Sequence, residues 1–186
     1  MHTGDLGVVQ YLAGSVLDEL SEEWPGPLTQ IGKVDQVWRA IKGKYDVCGT
    51  GNRLSHLKRE MFLRKDDFPS LKAKAAESRA LLFVLQAICD DLHDGSDRDQ
   101  HRSRCLHCIC EVYTIFQRED IFLSGDDHAS ALRLYETFLL HYHWLLKKVL
   151  VEWCPPLWAS FQVPQYVAYR GTIEMAEPCA HMVLRL

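Results

Sequence analysis

Ten consecutive residues, Ala80 to Cys89, carry apolar side chains at every position except Gln86, so a helix through them has no polar face to offer water. Such a segment is stable only when other elements cover it on several sides, and this requirement rules out a flat or single-layer arrangement. The flanking residues continue in helical character through Lys72, Ala75, Ala76 and Glu77, and Phe68-Pro69-Ser70 reads as the start signal, with Ser70 as the capping residue. The spacing predicts a helix from about Ser70 to Leu92 at the centre of the core.

The covering elements are legible from their period. Val8, Val9, Leu12, Val16, Leu17 and Leu20 recur at three- and four-residue steps, which predicts a helix from Leu6 to about Trp24, ended by Pro25-Gly26-Pro27. Val34, Val37, Trp38, Ile41 and Tyr45 predict a second helix, closed by Gly49 and Gly51. Leu54, Leu57, Met61 and Phe62 stand at helical spacing among basic residues, and a short helix is expected within Leu54 to Asp67. Gly95 to Gln100 reads as a solvent loop, and His101 to Arg118 as a helix. A capped break at Ser124-Gly125-Asp126-Asp127 precedes the longest helix, from about Asp127 to Trp153, which Cys154-Pro155-Pro156 stops. The expected fold is mainly α, a bundle-like single core over residues 1–153. Residues 154–186, with Pro164 and Pro178 and no sustained period, are expected to form an irregular tail.

Charge and cysteine usage narrow the function classes. With 21 basic and 25 acidic residues the net charge is −4, which gives no global attraction to nucleic acid or anionic membrane. No apolar stretch approaches the roughly 20 residues of a membrane span, so no membrane partner is expected. The N-terminus has no basic-then-apolar leader, and the seven cysteines suit reduced thiols, so an intracellular setting, nuclear or cytoplasmic, is expected.

Few motifs carry chemistry. Cys105 and Cys108 form a CxxC with His107 inside it, a half-site for zinc, but a second ligand pair is missing. Cys105, Cys108 and Val112 also share one helical face, and buried thiols are favoured over a metal site. His141 and His143 are two apart on a helix, point to different sides, and read as an interfacial pair in an aromatic-rich helix. Lys58, Arg59, Arg64, Lys65, Lys72 and Lys74 form the densest basic stretch, either a solvated face or a contact for DNA phosphates. No cofactor motif is present.

Three runs support a family resemblance. Met1-His2-Thr3-Gly4-Asp5-Leu6-Gly7 resembles the Asp-x-Met-His-x-x-x-Leu-Gly signature of eukaryotic cut-and-paste transposases of the CACTA and Plavaka type, including transposon-like proteins of dinoflagellates. Leu71-Lys72-Ala73-Lys74-Ala75-Ala76-Glu77-Ser78-Arg79 is similar to a Leu-Lys-x-x-Glu helix start in such proteins, and Phe138-Leu139-Leu140-His141-Tyr142 is similar to a later helix. The resemblance implies an RNase H-like nuclease using carboxylate-held divalent metals, with a helical insertion after its second catalytic aspartate. His2 matches the motif histidine. The aspartate that should precede it would stand before Met1, and the segment after Trp153 departs from the Pro-Lys-x-His pattern expected there. Glu77 is then the one carboxylate left to compare with the family's catalytic set, although a glutamate in the first turns of a helix is also explained by the helix dipole.

The expected function is therefore that of a truncated, non-catalytic transposase derivative close to the helical insertion alone, touching DNA or forming a homo-oligomer. The alternative is a helical protein-interaction module unrelated to transposition. A divalent metal is expected only if missing segments complete the nuclease site.

Overall fold

The computed structural model describes residues 7–63, 68–118 and 123–153. The tail expected over residues 154–186, and the candidate residues His2, Arg64 and Lys65, lie outside them. Among the described residues there are five α-helices, one 3-10 turn and no strand: α1 Val8–Glu23, α2 Gln30–Val47, the turn Arg59–Met61, α3 Ala75–Asp91, α4 Asp97–Arg118 and α5 Gly125–Trp153. The mainly α, bundle-like reading holds.

Local chemistry sets the boundaries. Trp24 leaves α1 in an extended conformation, and Gly26 takes a positive φ of 106° between two prolines, so the helix cannot continue. Thr29 caps α2, its Oγ1 accepting from the Gly32 amide at 3.2 Å, and Gly49, at φ 62°, turns the chain away at the other end. Helix α4 starts four residues earlier than its apolar period indicates. Ser96 accepts from the Asp99 amide at 3.2 Å, and Asp97 and Asp99 occupy the positive end of the helix dipole. The aspartates that suggest a solvent loop therefore form a helix start. Ser124 does the same for α5, accepting from the Asp127 amide at 3.1 Å.

Two expectations are corrected between residues 54 and 74. Among the described residues, the helix expected over Leu54 to Asp67 is reduced to the 3-10 turn, and Ser70 does not cap α3. Residues 70 and 71 instead pass over α1 outside any helix: the Leu71 amide donates to the Gln10 carbonyl at 2.9 Å and the Ser70 amide to the Phe62 carbonyl at 2.7 Å. Leu54, Leu57, Phe62 and Leu71 are buried, so the apolar residues serve as plugs for the core rather than as one helical stripe. Gly14 permits the crossing, since a Cβ there would stand 2.5 Å from the Ser70 nitrogen. Helix α3 begins only at Ala75, where Glu77 Oε2 accepts from the Lys74 amide at 3.1 Å and satisfies one of the open donors of the helix end.

Helix α3 touches α1, α2 and α4, and its Leu81, Leu82, Val84 and Leu85 are completely buried. The expectation that it forms the centre holds. Helix α5 differs from expectation in its neighbour, packing chiefly on α4 rather than on α3. Its inner side seats Phe138, which is completely buried, with Ala131, Leu134, Tyr142 and Leu145 around it.

Candidate functional site

Among the described residues, the basic candidates divide between two places. Lys58 precedes the 3-10 turn and Arg59 opens it, and Arg59 pairs with Glu22 of α1 at 3.4 Å. Lys72 and Lys74 lie on the crossing segment. Both are exposed and line an open groove of about 570 Å³ with Gln10, His56, Met61 and Glu77. The structure therefore brings two of the basic candidates together with Glu77 and turns Arg59 toward a carboxylate elsewhere. Among the described residues, Glu77 is the one acidic residue lining the groove, and its carboxylate is engaged in holding the α3 terminus.

The CxxC pair sits in the core. Cys105 and Cys108 are completely buried, with the Cys105 thiol directed at the Phe138 carbonyl at 3.9 Å. Burial pushes both thiols above the ordinary cysteine range, and it pushes Cys89 up to about 12, so the thiolate form that zinc requires is disfavoured. No group of three or more candidate metal-ligating side chains converges among the described residues.

Two polar clusters escape a reading by motif. In the first, Arg102 is buried between α1 and α4. Its Nη1 donates to Glu19 at 3.1 Å and to Glu23 at 3.3 Å, and its Nη2 donates to Asp99. Arg98 adds a bond to Glu19 at 2.8 Å. The signal was present as two i,i+4 pairs of opposite charge, Glu19 with Glu23 and Arg98 with Arg102, but nothing local says that the two helices meet there. The second cluster joins α4 to α5. His141 Nδ1 lies 2.8 Å from His101 Nδ1, and the His101 ring stacks on Trp144 at 3.9 Å with the planes 3° apart. One nitrogen must donate and the other accept, so the accepting ring must be neutral. Burial, then His101 and Arg104, hold His141 below the usual imidazole range. The interfacial role read for His141 fits this geometry, whereas His143 is exposed.

Among the described residues, exposed large apolar side chains concentrate on the outer side of α5. Leu132, Tyr135, Leu139 and Leu140 are 51, 38, 44 and 69 % exposed within nine positions. No described helix is long and apolar enough to cross a membrane. No family model, no curated protein and no solved structure matches the chain.

Proposed function

We propose that this chain is a non-catalytic helical module, related to the insertion of cut-and-paste transposases, that works by associating with its own kind. The observation that carries the reading is the concentration of exposed apolar side chains on α5, where Leu132, Tyr135, Leu139 and Leu140 remain exposed among the described residues while the same helix seats Phe138 against α4. Glu77 is occupied as a helix-end acceptor, and a two-metal nuclease needs several carboxylates converging on one place. Sedimentation velocity of the full chain from nanomolar to high micromolar concentration is expected to show a reversible shift to a larger species. A single monomeric species throughout would overturn the reading. Supercoiled plasmid incubated with the chain and magnesium or manganese is expected to remain intact, and nicking that disappears in Glu77→Gln would overturn the non-catalytic part.

A second contact, with DNA phosphates, is favoured by the placing of Lys72 and Lys74 on one groove wall with His56 nearby. Fluorescence anisotropy with an arbitrary duplex is expected to give weak, salt-sensitive binding indifferent to sequence. Each lysine lost by Lys72→Glu or Lys74→Glu should reduce the salt slope by about 1. Binding that is unchanged in the double variant would remove this contact.

A further inference from the structure

The outer face of α5 carries the information needed to say how two copies would meet. Leu132, Tyr135 and Leu139 follow the i, i+3, i+7 spacing of one helical stripe, and Leu140 lies beside them on one flank. Asp126 and Lys147, both exposed, lie on that same flank near opposite ends of the helix, the acidic residue toward the N-terminus and the basic one toward the C-terminus. A parallel pair would set Asp126 against its own copy and Lys147 against its own copy. An antiparallel pair resolves both clashes at once.

We propose that two copies of this chain pair through α5, antiparallel, about a two-fold axis passing between Glu136 and Thr137. That axis brings Asp126 level with Lys147 of the partner subunit. It brings Leu132 to within about 1.5 Å along the helix axis, one residue's rise, of Leu140 of the partner subunit, and Tyr135 equally close in level to Leu139 of the partner subunit. The apolar set and the charged pair thus share one centre of symmetry, as an isologous interface requires. A two-fold of this kind leaves each flank facing its equivalent, so the Asp126 and Lys147 flank meets itself. Glu136 is the carboxylate inside the stripe, and it falls about one helical turn from Arg133 of the partner subunit, within reach of a long guanidinium side chain. A contact made by one helix about 43 Å long is at the small end of interface sizes, so the dimer is expected in the micromolar range rather than as an obligate pair.

The inference rests on the self-association reading above and specifies its geometry. The experiment measures the dimer dissociation constant of the full chain by sedimentation equilibrium for the parent, Asp126→Lys, Lys147→Asp and the two together. Each single change sets like charges opposite each other twice across the two-fold and is expected to weaken the dimer about tenfold at low salt, and the double variant is expected to recover most of that loss. Leu140→Asp should abolish the dimer with an unchanged helical circular dichroism spectrum and melting midpoint, because Leu140 is exposed in the single chain. A dimer that the single variants weaken and the double fails to restore, or that Asp126→Lys strengthens, would overturn the antiparallel geometry while leaving self-association standing. A parent chain that stays monomeric would overturn both.

Discussion

Helices α3 and α5 are both rich in leucine and aromatic residues, yet they end in opposite circumstances. In α3 the apolar residues go round the whole helix, and three other helices gather on it, so Leu81, Leu82, Val84 and Leu85 are all sealed. In α5 the 29 residues have one principal neighbour, α4, and only the side bearing Phe138 and Ala131 is buried while Leu140 stands in solvent. Apolar content alone thus does not set burial. What sets it is how many partners the chain supplies, and α5, late in the described chain and reached through α4, meets fewer of them. An inner helix contributes to stability through its own fold, and an outer one of the same composition has surface left for contact.

The largest effect expected on the inner side comes from the charged joint that fastens α1 to α4. Arg102→Ala removes the cation and leaves Glu19 and Asp99 facing each other with little solvent, which should cost about 3–5 kcal/mol in urea denaturation. A loss below about 1 kcal/mol would mean that the cluster behaves as a surface ion pair and that α1 and α4 are held by apolar packing alone. Leu85→Ala tests α3 directly. Its side chain is completely buried, and the cavity left should cost about 2–5 kcal/mol. The matched change on the outer helix, Leu140→Ala, should alter the stability of the monomer by no more than about 0.5 kcal/mol. Equal losses at the two positions would break the contrast between the helices.

The smallest expected effect is a pH dependence of the α4–α5 joint. The packed state holds His141 below the usual imidazole range, so an unfolded or undocked chain binds that proton more readily. The joint is therefore firmest above the ordinary imidazole pKa of about 6.5 and loosens as the pH falls through that value toward the depressed one. Arg104 on α4 acts in the same sense, and His143, exposed as a residue but with its ring partly desolvated, is depressed by that desolvation and then by Lys147 and adds a background of the same sign. Trp144, stacked on His101, reports the change by fluorescence. His101→Phe keeps a ring for the stack and removes the nitrogen contact, and it should reduce without abolishing the part of the profile that belongs to His141, because burial, the larger cause of its depression, remains. An identical profile in His101→Phe would show that the histidine pair does not govern the joint.

Much of this architecture follows from the residues alone, because its causes are local. The three- and four-residue period of Val8 to Leu20, the prolines around Gly26 and the all-round apolar run from Ala80 to Cys89 each dictate an element without reference to the rest of the chain. The segment between Leu54 and Lys74 could not be read that way. Its leucines and Phe62 have helical spacing, but among the described residues only Arg59–Met61 form a turn of helix, and residues 70–71 are held by a bond to Gln10 and by the close passage over Gly14, residues about 60 positions away. The same holds for the candidate site. Lys72, Lys74 and Glu77 are neighbours in sequence and stay together, whereas Arg102 finds Glu19, and His101 finds His141, only because helices pack. Period and capping are written within one or two turns and so were determined by sequence. Which faces meet, which charges are sealed and which apolar stripe on α5 is left in water depend on contacts between distant segments, and these the tertiary structure alone decided.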